Sequence, residues 1–189
     1  MNNRKKIIAI WVMMIFIVTF NCILVYIVAQ QTLRLGANEL PAQFAIEAST
    51  ELQNGKSIDL IIPKEKMDVS KGLNTFVMIF DRNKNIVESS GILDNVKPSY
   101  PKGVLEYVDK NNESRVTWQP QDGLRFASVA IKYENGYVVA AKSLSETEKL
   151  IDKLGGLIFL AWLACIMFIT IALSIIYVFI RKIKKKTKI

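Results

Sequence analysis

The sequence predicts an α+β domain carried between two transmembrane helices. Three observations lead there. Two charge-free apolar runs, 7–29 and 155–180, are 23 and 26 residues long. At about 1.5 Å per helical residue, each is long enough to cross a hydrocarbon core of roughly 30 Å. Between them, short β-prone stretches separated by turn residues alternate with helical patterns, which is the mark of a hairpin-built sheet with helices beside it. Trp11 and Tyr26 lie toward opposite ends of the first run, and Trp162 and Tyr177 toward opposite ends of the second, where amphipathic rings meet headgroups. A buried helix of a soluble protein seldom runs past about 20 residues with no polar face, and both runs do.

The expected organisation is a cytoplasmic N-terminus (1–6), a first span (7–29), an extracytoplasmic domain (30–154), a second span (155–180) and a cytoplasmic basic tail (181–189). Charge sets this orientation. Arg4, Lys5 and Lys6 precede the first span, and Arg181, Lys182, Lys184, Lys185, Lys186 and Lys188 follow the second. No acid accompanies these nine cations, while the middle segment is nearly neutral, so both termini are expected inside the cell membrane. The net charge of +8 therefore belongs to the ends, where it suits anionic headgroups. It is no sign of nucleic acid. The first run is longer than a signal-peptide core and no A-x-A site follows it, so it reads as a retained anchor. Bulky and polar residues before Cys22 exclude a lipobox.

The chain has two cysteines, Cys22 and Cys165, both in the spans, and no histidine. The domain must be held by its own core, which about 125 residues can supply. No nucleophile elbow, Cys-His pair, phosphate loop or metal-ligand spacing is present. The expectation is a protein that is not an enzyme, with no catalytic residue, no metal and no cofactor.

The elements follow in order. Leu33, Ala37, Leu40, Phe44, Ala48 and Leu52 recur at helical steps, with Asn38 as a candidate N-cap, Pro41 in the first turn and Asn54-Gly55 as C-cap. Residues 58–63, IDLIIP, read as a short strand or a strand-like approach, and 64–74 as a loop or short helix. FVMIF (76–80) and 86–90 pair across the turn Asp81–Asn85, which Asp81 caps. Val104, Leu105 and Val108 mark a short helix. Strands at 115–119, 124–133 and 137–144 are joined by QPQDG and by ENG. Ser143 and Ser145, each with Glu three residues on, open a last helix by capping boxes. No internal repeat is apparent. Asn21, a polar group in the first span, suggests a hydrogen bond between the spans.

This order resembles the extracytoplasmic PAS-like sensor domains, of the Cache type, of bacterial sensor histidine kinases and chemoreceptors. FVMIFDRNKNIVESSG is similar to that family's apolar strand, Asp turn and Ser-ended return, and GYVVAAKSLSETEKLI to its closing strand and exit helix. Lys84 stands where the family often has Gly. Only nine residues follow the second span, so the resemblance covers an input domain without an output domain. It implies a five-stranded antiparallel sheet, a ligand pocket on one sheet face, and often a homodimer.

The best pocket candidates lie in RVTWQPQDGLRFASVAIKY. Arg125, Ala127, Val129, Ile131 and Tyr133 share one strand face. Arg125, supported by Arg115, would clamp a carboxylate, with Trp118 or Tyr133 as an aromatic wall. Against this stand a core role for Trp118 and a surface pairing for Arg125. The expected function is a membrane-anchored binding or sensory protein acting through a sensor kinase, receptor or transporter in trans. The alternatives are an accessory envelope protein making protein contacts, or a sensor-kinase remnant.

Overall fold

A computed structural model describes the backbone of residues 3–186 and the side chains of 5–183. Arg4, Lys184, Lys185 and Lys186 of the basic residues expected to anchor the ends lie outside the described side chains. The elements are α1 (Asn3–Gly36), α2 (Glu39–Gln53), α3 (Ile58–Ile61), β1 (Met67–Asp68), β2 (Phe76–Asp81), β3 (Ile86–Ser89), β4 (Gly91–Ile92), α4 (Lys102–Asn111), β5 (Glu113–Gln121), β6 (Leu124–Tyr133), β7 (Gly136–Ser143) and α5 (Ser145–Lys186). They form two compact units. One comprises the chain up to Gln31 together with the chain from Leu150; the other is Thr32–Lys149.

The second unit is the α+β domain. Its sheet has five strands in the order β3-β2-β7-β6-β5, antiparallel throughout. A small parallel pair, β1 with β4, lies apart from it. Burial is continuous along the central strands because the sheet is covered on both sides. Side chains alternate accordingly. Phe76, Met78, Phe80, Trp118, Phe126, Tyr137 and Val139 enter one core with Tyr100, Leu105 and Val108. Val77, Ile79, Val129, Tyr133, Val138 and Ala140 enter the other with Ala42, Ala45 and Ala48 of α2.

Several expectations change in detail. The stretch 58–63 is not a strand. Ile58–Ile61 makes one helical turn, and Ile62 beyond it is extended and buried against α2's side of the sheet. The edge strands of the sheet, β3 and β5, each pair on one side only, and neither takes up this stretch. The helix at 39–53 buries Pro41, Ala42, Ala45, Ala48 and Ser49, not the bulkier Leu40 and Phe44. Small residues let the helix approach a sheet face already filled by Val, Ile and Tyr. Asn38 occupies the N-cap position, but its side chain donates to the Arg34 carbonyl at 3.3 Å and caps nothing. The C-terminus follows expectation. The Gly55 N–H reaches Leu52 O and the Lys56 N–H reaches Glu51 O, a Schellman pair around Gly55 at φ +82°.

The hairpin turn is held by Asp81, whose Oδ1 accepts from the Asn85 N–H at 2.8 Å. At the β6–β7 hairpin a side chain on Gly136 would collide with the Phe80 carbonyl oxygen, so only glycine fits. The capping boxes at the last helix do not form. Ser143 Oγ accepts from the Ser145 N–H, Glu146 pairs with Lys149, and Glu148 turns to Arg125.

The first unit pairs the apolar parts of α1 and α5, both long and apolar enough to cross a membrane. They run antiparallel. Trp11 Nε1 donates to Thr170 Oγ1 at 3.0 Å, and Trp162 Nε1 donates to Thr19 Oγ1 at 2.9 Å. This reciprocity exposes a repeat that inspection of the sequence misses. Trp11, Ile15, Thr19 and Tyr26 recur at the same spacing as Trp162, Ile166, Thr170 and Tyr177. Apolar neighbours of every kind surround these four positions, so the pattern shows only once the bonds are seen. Asn21 takes no part, because its amide donates within its own helix to Ile17 O at 2.9 Å.

Candidate functional site

The candidate site lies on the sheet face that carries Trp118. That face is covered by the segment 93–101 and α4, not by a long helix. Residues 93–96 form a miniature hairpin. Leu93 and Val96 exchange both backbone hydrogen bonds, at 2.9 and 3.0 Å, and Asp94 and Asn95 take positive φ between them. Asp and Asn tolerate that conformation better than other non-glycine residues, which suits a two-residue turn. Pro98 and Pro101 then lead the chain into α4 without further strand pairing.

Between this segment and β5 opens a cleft of about 430 Å³. Leu93, Pro98, Pro101, Trp118 and Pro120 supply its apolar wall, and Asp94, Lys97, Gln119 and Gln121 its polar groups. Gln121 Nε2 donates to Asp94 Oδ2 across the mouth. Lys97 Nζ is held by the Val87 carbonyl at 2.6 Å and by Glu88 at 3.3 Å. Glu88 also accepts from the Ser89 N–H and pairs with Lys66 at 3.0 Å. The Ser89 N–H bond first, and the lysine contacts with it, lower the Glu88 carboxyl to about 2. Behind the cleft, Tyr100, Trp118, Phe126 and Phe76 pack edge to face or tilted at 5.4–6.4 Å. Tyr100 hydroxyl meets Ser128 Oγ at 3.0 Å, and burial pushes its pKa up to about 12.

The four residues singled out in the sequence are divided by the sheet. Trp118 is buried on the cleft side. Tyr133 is buried on the α2 side, and Arg115, paired in register with Val129, shares that side. Tyr133 and Trp118 therefore cannot wall one pocket with Arg125. Arg115 Nε is paired with Glu113. Burial, with the Asp81 charge adding to it, raises the Tyr133 hydroxyl pKa. Arg125 begins β6, and its Nη1 pairs with Glu148 of α5 at 2.6 Å, both side chains half-exposed. Its carbonyl accepts from the Leu144 N–H at 2.8 Å. One residue thus fastens the start of α5 to the sheet twice. The Glu148 partner was legible only as a cap residue, since nothing in the sequence brings positions 125 and 148 together.

A second polar cluster lies across α4. Asp109 accepts from Tyr137 hydroxyl at 2.6 Å and pairs with Lys84 and Lys132, each at 3.0 Å. These hydrogen bonds, the tyrosine's largest, hold the Asp109 carboxyl far below the usual range. Burial, then Asp109 itself, raises Tyr137 to about 12. Lys84 sits at φ +64°, the position where glycine is at ease, and its ammonium is what makes the strained residue useful.

Among the described residues no group of three His, Cys, Asp or Glu is placed to hold a metal. Comparison with family models, with curated proteins and with solved structures finds no match.

Proposed function

We propose that the chain is a membrane-anchored binding protein. Its PAS/Cache-like domain, outside the cell with both termini inside, takes a small ligand in the cleft beside Trp118. The ligand class is an amino acid or a short organic acid. The cleft offers Asp94 to an ammonium, Lys97 to a carboxylate and Trp118 with its neighbouring prolines to an apolar side chain. Binding is read out through α5, which turns a strand movement into a helix movement and acts laterally on a kinase, receptor or transporter in the same membrane.

The observation that carries this reading is the join between sheet and helix. β7 is the middle strand of the sheet, it is nearly wholly buried, and a single residue, Leu144, separates it from α5. The Arg125–Glu148 pair then ties the first turn of α5 to β6. A shift of β5 and β6 on ligand binding has a short, packed route to α5. Arg125 accordingly serves as the coupling residue, and the cleft supplies ligand contacts.

Thermal-shift screening of the full chain in detergent against amino acids and organic acids tests the reading. A ligand at a hundred times its Kd stabilises by about 2.7 kcal/mol, several degrees for a domain of this size. Asp94→Ala should remove the response, whereas Arg125→Ala should leave the shift and abolish signalling to the partner. No stabilising compound in the panel would count against a ligand-binding domain.

A second reading has its own observation. α2 and α3 turn Leu40, Phe44, Ile46 and Leu60 outward, each more than 40% exposed. Phe44 and Ile46 border a shallow hollow with Ile61 and Val77. Apolar exposure of this kind favours a protein contact, as in an accessory envelope protein or a homodimer. Chemical crosslinking in intact membranes separates the two: a partner lost on Phe44→Ser, with no ligand response, selects the contact role.

A further inference from the structure

The paired long helices carry two grooves, and the inverted repeat makes them counterparts. One is lined from α1 by Ile7, Ile8 and Trp11; the other is lined from α5 by Ile158, Phe159 and Trp162, the same positions one repeat later. They differ at the mouth. The groove of about 510 Å³ nearer the domain in sequence has Asp152 at its rim, while among the described residues no charged side chain lines the other.

Asp152 makes no hydrogen bond or ion pair among the described residues. One turn on, Gly155 leaves the α5 backbone bare beneath the Tyr26 ring, where a Cβ would come within 3.3 Å of it. Phe159 and Trp162 follow on the same helix face, stacked at 5.8 Å and 25°. Trp162 is held in place by its bond to Thr19. The groove therefore combines an unpaired anion at its rim, three aromatic rings below it and an apolar floor. An ammonium is attracted by both the carboxylate and the ring faces, and an acyl chain continues along the floor.

We infer that this groove holds a phospholipid by its ammonium headgroup, with Asp152 as the counter-ion and Tyr26, Phe159 and Trp162 around the head and upper chain. The Tyr26 hydroxyl, also without a partner among the described residues, is the donor available to the lipid phosphate. A third protein helix would instead be expected to avoid an unpaired carboxylate at its rim. The inference rests on the membrane reading proposed above.

Native mass spectrometry of the full chain in micelles, with phosphatidylethanolamine or phosphatidylglycerol added, tests it. The unaltered chain should retain one phosphatidylethanolamine in preference to further copies. Asp152→Asn should weaken that first adduct about threefold, the scale of one exposed ion pair with a cation–π contact. Phosphatidylglycerol adducts, held by the basic ends, should be unchanged. Equal retention of phosphatidylethanolamine by Asp152→Asn and by the unaltered chain overturns the proposal, and so does a parallel loss of both lipids. Flotation of the chain with vesicles of the two lipids tests the membrane reading separately. A chain that does not float refutes that reading and the lipid site with it. A chain that floats but shows no effect of Asp152→Asn refutes only the lipid site.

Discussion

The two faces of the five-stranded sheet are both buried, but they are covered in opposite ways. On one, a regular helix presents Ala42, Ala45 and Ala48, and the sheet supplies the volume through Val129, Tyr133, Val138 and Ile79. On the other, no long helix is present. Phe76, Phe80, Trp118, Phe126 and Tyr137 fill the space beneath the 93–101 segment and α4, and a cleft remains at the edge. The helix-covered face is built for close approach along Ala42, Ala45 and Ala48, with a shallow hollow only where Phe44 and Ile61 border Val77. The segment-covered face is built from large rings whose cover is held by polar contacts at its borders. Those borders are Glu88 with Lys66 and Lys97, and Asp109 with Lys84, Lys132 and Tyr137. Where that cover is the 93–101 turn and prolyl connection, and not α4, it can open at lower cost than a face sealed by a helix.

The contrast can be broken from either side. Phe126 sits at the centre of the ring cluster, fully buried. Phe126→Ala should cost about 3–5 kcal/mol in denaturant unfolding, the range for deleting a buried ring. On the opposite face the damaging change is enlargement. Ala45→Leu should destabilise by about 1–3 kcal/mol by forcing α2 off the sheet. If Ala45→Leu were neutral, the close approach of α2 would be wrong. Next comes the border of the loosely covered face. Lys84→Ala keeps a side chain in the left-handed region and loses the Asp109 pair, so it should lower the denaturation midpoint by a smaller but measurable amount. Lys84→Gly loses the same pair but relieves the backbone, and should fall nearer to neutral. Equal losses for both would show that the turn conformation carries no strain.

Acid and alkali sharpen the same contrast. The folded-state values of Glu88 and Asp109 are depressed. Their contribution to stability is present above the unfolded carboxyl values near 4, and is lost as pH falls through the folded values. Tyr137 and Tyr100 are raised to about 12, so their contribution is present below about 10 and is lost as pH rises from there toward 12. Denaturation midpoints at pH 7, 4 and 2.5 should fall in that order, and less steeply for Asp109→Asn. The smallest effect expected is that of Leu40→Ser on the outer side of α2, within about 0.5 kcal/mol.

How much of this was legible depends on range. The two-residue β1 and β4 leave no local pattern, whereas the five strands of the main sheet and their hairpins are legible because alternation, Asp81 and Glu134–Gly136 are local signals. Gly55 marked the end of α2 for the same reason. IDLIIP is extended only at Ile62, because a β-prone run of six cannot say whether its first four residues close a helical turn instead. The buried side of α2 is legible at Ala48 and Leu52, while Leu40 and Phe44 face outward because packing against a full sheet selects the small Ala42 and Ala45 instead. Which of Trp118 and Tyr133 shares a face with Arg125 depends on the β5–β6 register, which passes through an irregular connection after Trp118 that no local pattern gives. The Arg125–Glu148 pair and the Trp–Thr bonds join residues 23, 143 and 159 apart, and no local pattern carries that information.

Hydrogen exchange of the full chain, with and without the compound giving the largest thermal shift, tests ligand sensing through the cleft most directly. Protection should appear at 93–101 and 119–121, with altered exchange in the first turn of α5 at 145–149 and no change along α2. Protection confined to α2 and α3, or a protected cleft with unaltered exchange at 145–149, would contradict it.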